Sequence, residues 1–211
     1  PGEIKPALNE YIAKNGVPDL VINSAGVTHP GNFEELDAEI FRQMISINYL
    51  GTVYVVQAVI PGMILRGSGT IINISSVAGF IGVYGYSAYG GSKYAVRGFS
   101  DVLRAEMKPH GIQVSVAFPP DTQTPQLDYE NTIKPAMTRE LAGSAGILSA
   151  DAVAKTILAD AQKGKYIIIP GGESKLIYFA NNFFGNLMYP IMDWQIRDAR
   201  TKIEKRNKSS H

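Results

Sequence analysis

Tyr89 and Lys93 stand four positions apart in Tyr89-Gly90-Gly91-Ser92-Lys93, a spacing that puts both side chains on one face of a helix. A phenol with a pKa of about 10 is a poor acid–base catalyst near neutrality. An adjacent ammonium stabilises the phenolate and should draw that pKa down toward working pH. A tyrosine so placed can give a proton to a ketone oxygen while hydride arrives at the carbon. Ser76 follows the apolar run Ile71-Ile72-Asn73-Ile74-Ser75, and at the C-terminal end of a strand its hydroxyl can hold the same oxygen in place. Ser75, one residue away, offers the same group. Tyr86 lacks the pairing, because four residues on from it stands Gly90. Asn48 and Asn23-Ser24-Ala25-Gly26 complete the set. Taken singly these are a solvated helix pair, a strand-ending turn, a helix-kink amide and a weak turn signal; their weight lies in their order along alternating elements.

Those elements can be read from hydrophobic period and breakers. Leu20–Asn23 is a strand after a Gly-Val-Pro turn, and Asp37 caps a helix with Ile40, Phe41, Met44, Ile45 and Ile47 at helical spacing. A second helical stretch runs from Tyr49 to Leu65, so Asn48 sits at the junction. Thr70–Ser75 is a strand, Ser87–Lys108 a long helix stopped by Pro109 and Gly111, Ile112–Ala117 a strand broken by Pro119-Pro120, Asp151–Lys163 a helix and Tyr166–Ile169 a last strand. Strands alternating with helices imply right-handed crossovers and a parallel sheet with helices on both faces, a doubly wound α/β fold. Leu20-Val21-Ile22-Asn23 is too apolar for an exposed edge, and no Gly-x-Gly-x-x-Gly-like turn precedes it. The expectation is therefore that the N-terminal strands of the fold lie outside this chain.

Composition removes several classes. The 211 residues carry 20 Lys+Arg against 19 Asp+Glu, for a net charge of +1, without the basic surplus that phosphate neutralisation needs, so no nucleic-acid partner is expected. No cysteine is present, which excludes disulfide scaffolds, thiolate metal sites and cysteine nucleophiles. His29, His110 and His211 are too scattered for a zinc site and receive no role, so no metal is expected. No stretch is read as reaching the roughly 18 apolar residues needed to span a bilayer.

In this order, and over about Val17 to Thr124, the motifs resemble those of the short-chain dehydrogenase/reductase family. The family's Asn-Asn-Ala-Gly becomes Asn23-Ser24-Ala25-Gly26, its catalytic serine falls on Ser76, and its Tyr-x-x-x-Lys falls on Tyr89 and Lys93, with Tyr89 thirteen residues after Ser76. The resemblance implies a Rossmann-type fold, a nicotinamide cofactor and a homo-oligomer. It implies Ser76, Tyr89, Lys93 and Asn48 as the catalytic set, with Lys93 also holding the nicotinamide ribose and Asn48 holding a water in a relay ending at Lys93. It implies cofactor contacts from Asn23, Ala25, Gly26, Tyr89, Lys93, Pro119, Thr122 and Thr124. One departure is informative: where the family commonly has Pro-Gly and then a threonine, this chain has Pro119-Pro120-Asp121-Thr122. Together with Ile47-Asn48-Tyr49-Leu50-Gly51 and Glu130-Asn131-Thr132-Ile133-Lys134-Pro135, that segment resembles the branch that reduces the C3 ketone of 3-ketosphinganine with NADPH in sphingolipid biosynthesis, at the cytosolic face of the endoplasmic reticulum in eukaryotes. The implied substrate is a long-chain ketone bearing an amine. Residues 121–148 would form a lid over it, with Asp121 or Glu130 facing the amine or remaining solvated loop charges. Other readings are reduction of a steroid, retinoid or acyl ketone, and a non-catalytic Rossmann binding protein; intact Ser76, Tyr89 and Lys93 argue against the last.

Residues 1–174 are thus expected to be the C-terminal portion of a Rossmann-fold reductase domain, and 175–211 an apolar aromatic helix with a basic tail. After Lys175 come Leu176, Ile177, Tyr178, Phe179, Phe183, Phe184, Leu187, Met188, Tyr189, Ile191, Met192 and Trp194, then Arg197, Arg200, Lys202, Lys205, Arg206 and Lys208 against Asp198 and Glu204. Such a segment suits membrane-surface contact through residues 176–208, or a rim for lipid entry. It suits a subunit interface or a core-packing helix with a solvated tail equally well.

Overall fold

The computed structural model describes residues 3–142 and 146–209. Residues 143–145 of the expected lid, His211 and the side chain of Lys208 lie outside the described residues. In chain order the elements are α1 (Ile4–Asn15), β1 (Leu20–Asn23), α2 (Ala38–Met44), α3 (Gly51–Arg66), β2 (Gly69–Ile74), α4 (Ser87–Met107), β3 (Ile112–Ala117), β4 (Thr122–Gln123), α5 (Pro125–Ile133), α6 (Ala136–Ala142), β5 (Leu148–Ser149), α7 (Ala150–Gln162), β6 (Ile167–Ile168), α8 (Gly172–Phe184) and α9 (Met188–Ser209).

Local chemistry sets the boundaries. The Asp37 carboxylate accepts the Glu39 N–H at 2.7 Å and opens α2, Thr124 and Ser149 cap α5 and α7 in the same way, and Gly67 ends α3 in a left-handed conformation with φ 73°. Gly111, at φ 70°, enters β3 where a Cβ would stand 2.5 Å from the Gly67 carbonyl oxygen, so both its conformation and this close approach require glycine.

β1, β2, β3 and β6 form one parallel sheet in that order, with β2 and β3 in register from Gly69↔Ile112 to Ile74↔Ala117. Adjacent strand residues bury opposite ways: Ile71 joins Val56, Val59, Met63 and Leu103 beneath α3 and α4, whereas Ile72 joins Val153, Ile157 and Ala161 beneath α7. That alternation, with helices on both faces, makes the sheet doubly wound as expected.

β1 stands at the edge of the sheet, with Leu20 and Ile22 44% and 43% exposed. Three details differ from the sequence reading. The two helical stretches around Asn48 are continuous, joined through a π-helical turn over Ile45–Leu50. The resulting helical run, Ala38–Arg66, is 29 residues long and apolar enough to cross a membrane by length and composition, which corrects the expectation that no such stretch exists. Its Met44, Val56, Val59 and Met63 are buried in this fold. Finally, β4 and β5 pair as a separate two-stranded parallel sheet beside the main one; two-residue strands leave no periodicity to read.

Candidate active site

α4 carries the central pair because of which face it buries. Ala88, Ser92, Val96, Ser100, Leu103 and Met107 form its buried stripe, and Lys93 lies on the same side, only 5% exposed. The Lys93 ammonium donates to the Ile74 carbonyl at the end of β2 at 3.0 Å and lies 5.6 Å from the centre of the Tyr89 ring. Burial lowers its pKa from 10.5 to about 8.

Ser75 and Ser76 divide cleanly. The Ser75 hydroxyl is buried and donates to the Lys93 carbonyl at 2.9 Å, anchoring α4 to the strand end. Ser76 faces the cleft, hydrogen-bonds Tyr89 and accepts the Ala78 N–H at 3.2 Å. Desolvation pushes the Tyr89 phenol pKa well above its usual value; the Ser76 hydrogen bond opposes this, and the nearby Glu130 and Asp121 charges reinforce it. The lowering expected from Lys93 is not what sets this phenol: burial raises its pKa, and the one opposing influence is Ser76. A phenol held protonated in this way is suited to donating a proton rather than abstracting one.

Asn48 sits in the π-helical turn, 1% exposed, in a kind of distortion frequent at functional sites. Its side-chain oxygen accepts the Val27 N–H at 2.8 Å, and its amide donates to the Val27 carbonyl and Ser92 hydroxyl, each at 2.9 Å. Its own carbonyl accepts from the Thr52 hydroxyl at 2.9 Å. The side chain thus ties the loop after β1 to α4. Asn23 is likewise turned inward: it donates to Asn73 at 2.8 Å, which donates to Ser100 at 2.8 Å, in a buried amide ladder across β1, β2 and α4.

Ser76, Tyr89 and Lys93 line a cleft of about 740 Å³ with Ser24, Gly26, Pro119, Thr122 and Thr124. Neither Asn23 nor Ala25 is among its lining residues. The Thr122 hydroxyl donates to the Pro120 carbonyl at 2.8 Å and the Thr124 hydroxyl to the Thr122 carbonyl at 3.2 Å, shaping the turn into α5. Apolar side chains of Leu148, Val153, Ile157 and Ile177 line another part of the cleft.

One side of the cleft holds a cluster that the sequence did not reveal. Tyr86, dismissed on spacing, is 8% exposed and donates to Glu130 at 2.5 Å, with its ring 5.8 Å from that of Tyr89. Burial, then Glu130, pushes the Tyr86 pKa far up. The Lys134 ammonium stands 3.6 Å from Asp121 and 3.7 Å from Glu130. Glu130 followed by Lys134 at helical spacing was the one available signal, but nothing in the sequence joins either residue to Tyr86.

Among the described residues no group of three or more His, Cys, Asp or Glu side chains could hold a metal ion. At the C-terminus, Ile177 and Tyr178 pack against the cluster of Phe80, Phe118 and Ile169, while Phe183, Leu187 and Trp194 are 84%, 67% and 60% exposed. The segment expected from residue 175 thus starts within α8, which is docked on the main fold through its buried face.

The family model described as short chain dehydrogenase matches residues 1–134. A 3-dehydrosphinganine reductase of Danio rerio is 41% identical over 164 residues, or 78% of this chain and 49% of the relative. A 3-ketodihydrosphingosine reductase of Mus musculus is 42% identical over 164 residues, with the same coverages of 78% and 49%. The chain thus spans about half the length of these curated relatives. Among solved structures, a short-chain dehydrogenase from Streptomyces avermitilis superposes with a TM-score of 0.74 at 27% identity, covering 95% of this chain and 76% of that one. One from Burkholderia cenocepacia J2315 in complex with NADP gives 0.75 at 20% identity, covering 89% and 75%, a likeness of fold.

Proposed function

Because this chain belongs to the short-chain dehydrogenase family, we propose that its cleft reduces the C3 ketone of 3-ketosphinganine to the alcohol of dihydrosphingosine, with NADPH as hydride donor. The observation that carries this reading is the convergence of Ser76, Tyr89 and Lys93 on one cleft that also has an apolar wall. The relatives' names and the Pro119-Pro120-Asp121-Thr122 segment favour this substrate over a steroid, retinoid or acyl ketone.

Two features suit a nicotinamide cofactor. A Cβ on Gly26 would stand 3.2 Å from Asn48 Oδ1 and 3.5 Å from Lys93 Nζ, so the bare backbone keeps this corner of the cleft open. The Lys93 ammonium has three donors, and the bond to Ile74 uses one, leaving others for ribose hydroxyls. Ser24, Gly26, Pro119, Thr122 and Thr124 would line its berth; Asn23 would contribute by bracing the sheet and Ala25 through the course of its backbone. When bound, the cofactor supplies the hydride. Ser76 holds the ketone oxygen, and Tyr89 delivers its phenolic proton to that oxygen as negative charge develops there. Lys93 offsets the charge left on Tyr89. Asn48 acts as a positioning residue, tying the loop after β1 to Ser92 in α4.

The exposed aromatic side of α8 and α9, followed by Arg197, Arg200, Lys202 and Lys205, suits contact with an anionic bilayer, the source of a long-chain substrate. The endoplasmic reticulum surface and a homo-oligomer belong to the same proposal. One reconstitution tests it. Full-length protein on phosphatidylcholine/phosphatidylserine vesicles should oxidise NADPH on addition of 3-ketosphinganine and float with the vesicles. Replacing Phe183, Leu187 and Trp194 by Ser should weaken flotation by about tenfold or more, since each buried large apolar side chain contributes about 1.5–3 kcal/mol. Absence of ketone-dependent oxidation contradicts the activity. Unchanged flotation contradicts the membrane face, and a change of subunit number in the variant instead would identify that face as an interface.

A further inference from the structure

We infer that the Asp121 carboxylate is the receptor for a substrate ammonium beside the ketone, so that the cleft selects amino ketones over neutral ketones of the same length. The inference deepens the reductase reading and rests on it.

Asp121 and Glu130 line the same cleft as Tyr89, yet only one of them has capacity to spare. Glu130 is 7% exposed, and both its oxygens are taken: Oε2 accepts from the Tyr86 hydroxyl at 2.5 Å and Oε1 from the Gln126 amide at 3.3 Å. The Asp121 side chain is 42% exposed, and Lys134 approaches it only to 3.6 Å, beyond hydrogen-bond reach. Its carboxylate therefore keeps lone pairs directed at solvent or ligand. The Lys134 side chain, 4% exposed between the two carboxylates, cannot turn away to meet a substrate. The backbone at Asp121 is held as well: its carbonyl accepts the Leu148 N–H at 3.1 Å, where β4 meets β5.

Two carboxylates face one ammonium, leaving a net charge of −1 on the lid side, and the charges of both carboxylates oppose ionisation of Tyr89. A neutral ketone would leave that opposition in place while Tyr89 gives up its proton. An ammonium on the carbon next to the ketone cancels it at the point of proton transfer. Asp121 thus serves binding and rate together, whereas Glu130 with Tyr86 and Lys134 positions the lid.

Binding can be read without turnover. Full-length protein with NADPH should bind dodecylamine about tenfold or more tighter than dodecanol by calorimetry, the size expected for a hydrogen bond to a charged group. Asp121→Asn keeps the side-chain shape and should bring the two ligands within about threefold of each other, the residual spread of unpaired contacts. In kinetics, Asp121→Asn should lower kcat/KM for 3-ketosphinganine by about 10–100-fold and should not lower it for a neutral ketone of equal chain length, for which the Asp121 charge only opposes ionisation of Tyr89. Equal binding of amine and alcohol by the unaltered protein overturns the inference without recourse to any variant. An equal loss on both ketones in Asp121→Asn also overturns it, because that is the signature of a lid role alone. Ketone reduction with no amine preference sinks this inference and spares the reductase reading; an amine preference abolished by Asp121→Asn without ketone reduction does the reverse.

Discussion

Replacing Tyr89 with Phe should lower ketone reduction by about 10²–10⁴-fold, the range general acid catalysis contributes, with little change in stability or cofactor affinity. Phe retains the ring that packs beside Tyr86 and removes only the hydroxyl that hydrogen-bonds Ser76. The loss should therefore fall on kcat and leave KM for NADPH near its original value. Tyr86 cannot substitute as donor, because its hydroxyl is committed to Glu130. Steady-state kinetics with thermal melts check this. Activity in Tyr89→Phe within about tenfold of the original would assign the proton to another group, since that lies below the usual range for a positioned acid.

Lys93→Met should separate activity from stability in opposite directions. Reduction should fall by about 10²-fold or more, through loss of the charge that offsets the developing phenolate. The folded chain should nevertheless become more stable by about 1–2 kcal/mol near neutral pH, because a buried charge costs more than its contacts return and Met fills a similar volume. The sign follows from the pKa. Burial lowers Lys93 from 10.5 to about 8, so between those values the unfolded chain holds the proton that the folded chain has released. Stability should rise with pH through that window, and the full cost is present below it. Met abolishes the slope. Urea unfolding across this pH range measures both effects: a destabilised Lys93→Met would show that the bond to Ile74 outweighs desolvation, and a slope that persists in Lys93→Met would assign it to another group.

The parts of the site that lie close together in sequence were legible there. Ser76, Tyr89 and Lys93 declare themselves through a strand end and an i,i+4 pair, and the alternating apolar runs place them on one parallel sheet. What escaped depends on partners far along the chain. Tyr86 meets Glu130 only because α5 folds back over the cleft, and Asn23 spends its amide on Asn73 rather than a ligand. The balance at Tyr89 was also out of reach: a neighbouring ammonium suggests a lowered pKa, but burial, set by the whole fold, prevails. The two-residue strands β4 and β5 fix the backbone of Asp121, and no pattern so short identifies itself.

In the proposed reaction this cleft directs hydride to the C3 carbon of a long-chain amino ketone while Tyr89 protonates the oxygen. Full-length protein given NADPH deuterated at the transferable position and 3-ketosphinganine tests it most directly, with the product read by mass spectrometry. The expected product is dihydrosphingosine carrying a single deuterium at C3, formed at a rate that collapses in Tyr89→Phe. Failure to form that product, or product without deuterium at C3, would contradict it.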